Sequence, residues 1–279
     1  MNLLDIISYL ESEDYATKMN NIINGLQYFG NTVLEAYKVW DEWFEKAAPK
    51  LEKIISSISV AGLSEDEKQK LKASYTEWGK YGWSYNTTSR YNDFSNFPIS
   101  LEYADEFMGK YCTDEEIINI KTKLSECELN INDLDEALFC FQQGKYKSCV
   151  LILFSLIDNL LIRRKKTYVD KKNKKVKVRL GGSAIKAVKE DSESDFEKGI
   201  LFSHLIFLNT LTCLSKIFEY GNNFEDQPKI INRNFVSHGM YEREVSRIAC
   251  FKVWSALYSF AVIYPTVESY QVEIGQVEV

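Results

Sequence analysis

Histidine is almost missing from this chain: His204 and His238 are the only two in 279 residues. Proline is scarce as well, at four, while Leu, Ile, Lys and Glu are frequent, a composition that leans to helix. The six cysteines, Cys112, Cys127, Cys140, Cys149, Cys213 and Cys250, include no C-x-x-C pair. Without close ligand pairs and with so few histidines, a zinc site is disfavoured, and the cysteines read as buried, reduced thiols. No metal and no cofactor is expected. No apolar run reaches the roughly 18 to 20 residues of a membrane span, and the longest, Ser148 to Ile162, is interrupted by Asp158. The N-terminus has no basic region and carries Asp5, so no signal peptide is expected and the cytoplasm is the expected location.

What is present is ample for a buried core: 45% hydrophobic residues with 27% charged. Residues 1 to about 60 show apolar positions at three- and four-residue steps, as in Ile22-Ile23-Leu26-Phe29 and Val33-Leu34-Tyr37-Trp40-Phe44, the pattern of stacked helices. Tyr75, Trp78, Tyr81, Trp83 and Tyr85 form an aromatic cluster; it lacks the basic run that would mark a base-stacking platform, so a packing role is expected. The polar stretch Asn86 to Ser100 reads as a linker, which places an N-terminal helical domain at 1–112 and a second helical domain at 113–279.

The second domain opens on Thr113-Asp-Glu-Glu116, a capping box, with a helix toward Cys127. Asn132-Asp133 starts a further helix that Gly144 stops, and Tyr146 to Arg164 follows as a long apolar helix, so the two form a helical hairpin. Asp158 sits within that apolar helix, where an unpaired carboxylate would cost several kcal/mol; it needs a cation or a wet cleft. Arg163 to Arg179 then holds ten basic side chains against one acid, Asp170, a net +9 that leaves −15 on the remainder of a chain totalling −6. Thr167-Tyr-Val169 and Val176-Lys-Val178 flank a polar turn and fit a small basic β-hairpin inserted in the helical body. Arg163, Arg164, Lys165, Lys166, Lys171, Lys172, Lys174 and Lys175 are its candidate phosphate contacts. A short helix at Ser183 to Lys189, an acidic loop at Glu190 to Glu197 and a core helix from Leu201 to Phe218 complete this part, with His204 read as a packed structural histidine.

The stretch Asp226 to Met240 groups residues suited to chemistry: Arg233, Asn234 and His238 within six positions. Asp226 as N-cap, Pro228 in the first turn and Gly239 as the left-handed stop predict a helix of about three turns that ends at His238. There the helix dipole favours the imidazolium. A five-residue step separates the two side chains by about 140° on an ideal helix, so a loosened last turn or a second chain must complete a shared site.

These residues resemble a family. Arg233-Asn-Phe-Val-Ser-His238, followed by Gly239 and flanked by the apolar helix ending Asp158-Asn-Leu-Leu-Ile-Arg163 and by a final helix from Glu242 to Tyr264, is similar to the R-x(4 to 6)-H motif and core helices of HEPN domains over residues 130 to 265. The resemblance implies an all-α fold: a C-terminal HEPN-like helical bundle with the basic hairpin inserted, beside the N-terminal helical domain. It implies a metal-independent endoribonuclease of a bacterial defence, abortive-infection or toxin system, working as a homodimer on RNA, with an antitoxin or trigger protein as a further partner; no membrane partner is expected, from the lack of a long apolar run. His238 would be the acid/base, Arg233 would hold the scissile phosphate, Asn234 would orient either, and Asp158 would be the acidic neighbour. The alternative from another class is a HEPN-like dimerisation or nucleotide- or RNA-binding module without catalysis.

Overall fold

The computed structural model describes residues 65–89, 91–163, 167–169, 175–196 and 202–277; the helical stretches expected within residues 1–60 lie outside them. The chain divides into two compact units, Met1–Glu65 with Gly199–Phe202, and Asp66–Lys198 with Ser203–Val279. Residues 66–112, grouped by sequence with the N-terminal part, thus belong to the same unit as the residues that follow them.

Apart from one ribbon and two four-residue turns, Tyr91–Phe94 and Gly221–Phe224, the described elements are helices: α1 (Glu65–Lys80), α2 (Leu101–Gly109), α3 (Asp114–Ser125), α4 (Ile131–Gln142), α5 (Tyr146–Arg163), β1 (Thr167–Val169), β2 (Val176–Val178), α6 (Gly181–Phe196), α7 (Phe202–Ile217), α8 (Arg233–Ser237) and α9 (Arg247–Val277). The strands pair antiparallel, Thr167 opposite Val178 and Val169 opposite Val176. Three differences from the sequence reading are found here. α6 runs on to Phe196 through the stretch read as an acidic loop. α9 starts at Arg247, after Ser246, whose hydroxyl accepts from Ala249 N at 3.1 Å, and continues past Pro265.

α5 is the hub. It packs against α4, α6, α8 and α9, and α9 in turn packs on α3. Leu153, Phe154, Ile157 and Leu161 of α5 and Phe251, Trp254 and Leu257 of α9 are all essentially out of solvent, the apolar face that drives the assembly. The α4–α5 hairpin closes as glycine chemistry dictates. Gly144 adopts φ +68°, and Gly144 N donates to Phe141 O at 3.0 Å while Lys145 N donates to Cys140 O at 2.8 Å, satisfying carbonyls that the helix end leaves over.

The aromatic cluster packs. Tyr75, Trp78 and Trp83 are buried; Phe94 lies 5.6 Å from Tyr75 and 5.8 Å from Trp78, and Trp83 meets Phe251 at 6.1 Å. Asn209 on α7 donates to Tyr75 O and Trp83 O at 2.9 Å each, tying α1 to α7 where Gly79 lets the two backbones approach. The supposed linker is instead a packed loop over its first part. Thr113 caps α3 through Oγ1, which accepts from Glu116 N at 3.1 Å. The Glu116 carboxylate, however, turns away from its own cap: Oε1 accepts from Thr87 N at 2.8 Å and Thr88 N at 3.2 Å, and Oε2 from Thr87 Oγ1 at 2.5 Å. Asn86 and Ser89 are buried beside it. Burial pushes the Glu116 pKa up, against the pull of those donors.

Candidate functional site

The motif lies where α5, the end of α7 and α8 meet. α7 stops at Ile217 with its last carbonyls unused by the helix, and the polar side chains of the motif take them up. Asn232 Nδ2 donates to Glu219 O at 2.9 Å and Lys216 O at 3.3 Å; Asn234 Nδ2 donates to Phe218 O at 2.9 Å and Glu219 O at 3.2 Å. Asn232 also starts α8, its Oδ1 accepting from Asn234 N at 3.0 Å and Phe235 N at 3.1 Å. The helix of three turns from Asp226 is therefore not formed: α8 has a single turn, capped by Asn232. The chain before it is instead held open, with Arg243 donating to the carbonyls of Lys229, at 2.8 Å, and Pro228. Gly239 does end the motif, at φ +74°, with Gly239 N on Val236 O at 3.2 Å and Met240 N on Phe235 O at 2.8 Å.

Arg233 projects from the first residue of α8 onto α5. Its Nη2 donates to Asp158 Oδ2 at 2.8 Å, an ion pair with side-chain exposures of 30% and 23%, and its Nη1 reaches Asn234 Oδ1 at 3.3 Å. Its Nε is buried without a hydrogen-bond partner among the described residues, and the guanidinium carbon lies 5.9 Å from the centre of the Phe218 ring. Asp158 thus has the cation that its place in an apolar helix demands. Asn234 is buried, accepts from the arginine and fastens α8 to the end of α7.

His238 stands at the other end of α8 as its C-cap, exposed, with its ring edge-on to Phe224 at 5.4 Å. Phe224 also packs on Phe235 at 5.3 Å. Phe224 comes from a segment that sequence reading passed over: Gly221, Asn222, Asn223 and Phe224 all have positive φ, 50°, 47°, 54° and 71°, one turn of left-handed helix. Such a turn costs about 1–2 kcal/mol for each residue with a side chain. The Gly-Asn-Asn sequence is its signal, since those residues tolerate this region best.

The basic arm is only partly described. Arg163 Nη1 is taken by Glu128 Oε2 at 3.1 Å on the surface, and Lys175 is exposed next to β2, whose Val176, Lys177 and Val178 are all exposed. Arg164, Lys165, Lys166, Lys171, Lys172 and Lys174 lie outside the described residues. His204 is buried in α7, as a packed histidine would be. All six cysteines are free thiols, and burial pushes that of Cys213 up to about 12, far from a reactive thiolate. Among the described residues no cluster of His, Cys, Asp and Glu could hold a metal ion, and no helix is long and apolar enough to cross a membrane. Comparison with known proteins finds no matching family model, curated protein or solved structure.

Proposed function

We propose that the chain is a metal-independent endoribonuclease of HEPN type, serving bacterial defence or acting as a toxin. The observation that carries the reading is the ion pair of Arg233 with Asp158 at 2.8 Å on a one-turn helix whose other end presents the exposed His238. Of the five guanidinium donors, two are placed on Asp158 and Asn234, so the group is held in position with donors to spare for a phosphate. With RNA bound at the motif, the bond from the ribose 2′-oxygen to phosphorus forms as the bond to the 5′-oxygen breaks. His238 takes the 2′-hydroxyl proton or supplies one to the leaving oxygen, and Arg233 stabilises the charge that builds on the phosphoryl oxygens. The products are a 2′,3′-cyclic phosphate and a 5′-hydroxyl. A second copy of the chain supplies the complementary acid or base. The hairpin lysines add phosphate affinity that does not depend on sequence.

One feature favours the second reading, a HEPN-like dimerisation or RNA-binding module without catalysis: Asn232 and Asn234 are engaged in closing α7, so part of the motif already has a packing task. The test is incubation of purified protein with total RNA in EDTA. Cleavage is expected, with loss in His238→Ala, whose exposed site leaves the fold intact. Cleavage that persists in the folded variant refutes the assignment, and no cleavage by the wild-type dimer favours the module.

A further inference from the structure

On the far side of the segment leading into the motif lies a cavity of about 200 Å³ between α2, the approach Lys229–Ile231 and the first turns of α9. Lys252 lines it and is 3% exposed, a lysine in a place where an ammonium is costly. Its Nζ reaches Asp105 Oδ1 at 2.5 Å, the same oxygen that accepts from Trp83 Nε1 at 2.8 Å, and it lies 5.0 Å from the centre of the Trp83 ring. The pair is not sealed: the Asp105 side chain is 32% exposed against 4% for Lys252, so the carboxylate forms part of the wall. Its lining includes two more cations, Lys229 and Arg243, one more acid, Glu244, and Tyr241 and Ser246, while Glu102 lies near enough to Lys229 to feel its charge. Arg243 is held at the cavity wall by the carbonyls of Pro228 and Lys229, one from each terminal nitrogen, which leaves one N–H on each of those nitrogens for a ligand.

The geometry points to a binding site for a small hydroxylated phosphate monoester, its phosphate on Arg243 and Lys229 and its hydroxyls donating to Asp105 within. A cavity of about 150 Å³ takes a benzene-sized molecule, so this one suits a ligand of about eight to ten heavy atoms. The two cations Lys229 and Arg243 on one wall match the phosphate, and the partly exposed carboxylate beside a buried ammonium matches a group that both donates and accepts. Burial also holds the Lys252 pKa below the ordinary lysine value, with Asp105 opposing.

Titration of the full chain with glycerol 3-phosphate, followed by calorimetry and by protein NMR shifts, tests the site. Saturable binding is expected at about 1 mM or tighter, with inorganic phosphate weaker and glycerol weaker still. Arg243→Gln with Lys229→Gln, both at exposed positions, should weaken glycerol 3-phosphate by about tenfold or more. Asp105→Asn should weaken glycerol 3-phosphate while leaving inorganic phosphate unchanged. Absence of saturation at about 10 mM, or undiminished binding in the Arg243/Lys229 variant, overturns the site. Equal affinity for inorganic phosphate and glycerol 3-phosphate overturns the ligand class. Should Asp105→Asn unfold, the Arg243/Lys229 comparison still decides.

Discussion

Removing the Asp158 carboxylate is the perturbation that best separates a site held ready from a surface ion pair. Arg233 Nη2 and Asp158 Oδ2 are 2.8 Å apart, with side chains 30% and 23% exposed. A hydrogen bond between charged partners contributes about 1.5–3 kcal/mol when buried, and an exposed ion pair about 0.2–1 kcal/mol. This pair lies between the two, so a coupling near 1 kcal/mol is expected. Asp158→Ala alone should cost somewhat more, about 1.5–2 kcal/mol, because it strands Arg233 Nη2 beside a buried Nε that already lacks a partner. For a chain of this size that is a fall of about 3–8 °C in Tm. The assay is a double-mutant cycle in urea with Asp158→Ala, Arg233→Ala and the double variant. If the motif cleaves RNA, Asp158→Ala should also lower kcat more than it raises KM, by about tenfold or more, since the guanidinium is then free to leave its position. A coupling under about 0.3 kcal/mol, within the error of additivity, would show that Asp158 does not hold Arg233 and would remove the reason for a pre-set phosphate clamp.

Glu116 gives a pH test. Its folded pKa is raised above the ordinary 4.5, so its contribution to stability is full below that value and is lost as pH rises through the folded pKa. Glu116→Gln keeps the shape and cannot titrate; its urea midpoint relative to wild type should therefore improve from pH 4 to pH 7, and a constant difference would refute the assignment. Gly221→Ala and Gly239→Ala form a matched pair. Both have positive φ, but a Cβ at Gly221 would stand 2.3 Å from Asp226 O and 2.7 Å from the Phe235 ring, whereas Gly239 has open space. Gly239→Ala should cost about 1 kcal/mol and Gly221→Ala clearly more; equal losses in a denaturation series would mean the turn moves aside. Charge reversal of Lys171, Lys172, Lys174 and Lys175 should weaken RNA binding and flatten its dependence on salt, and unchanged filter binding across salt would mark the arm as a solvated surface only.

What could be read in advance followed from local chemistry. The Thr113 cap, the Gly144 stop, the extent of α5, the pairing of β1 with β2 and the need of Asp158 for a cation each rest on residues within a few positions of one another or on a single energetic demand. The failures are of the opposite kind. Asn86 to Ser89 looked like a linker because Asn, Thr and Ser are the composition of loops, yet the group that orders them is Glu116, 29 residues from Thr87. The motif helix was drawn from Asp226 because Asp and Pro are good starters. The true cap, Asn232, wins because it satisfies two amides of α8 and two carbonyls at the end of α7 with one side chain. That double role depends on where α7 ends in space, which no local window contains.

The same arrangement bears on how the two motif side chains differ as chemical groups. Arg233 is tied to α5 through Asp158 and to the α7 terminus through Asn234, both parts of the packed core. His238 is one turn further on, past the last residue of α8, with the Phe224 ring as its described neighbour and that ring carried on a left-handed turn. Fixing the arginine and leaving the histidine at a surface edge is what the proposed cleavage requires, since there the phosphate would be placed and the proton would travel. The left-handed turn touches the motif at two points, since Phe224 meets His238 and also Phe235, the residue after Asn234. Asn222 Nδ2 bonds Glu225 Oε2 at 3.3 Å and Asp226 Oδ2 at 3.2 Å, contacts at the surface that can open without disturbing α5. Under the proposed reaction, a force that reshapes Gly221–Phe224 therefore meets His238 directly and reaches Arg233 only by way of Phe235 and α8, whereas a force on α5 meets Arg233 directly through Asp158.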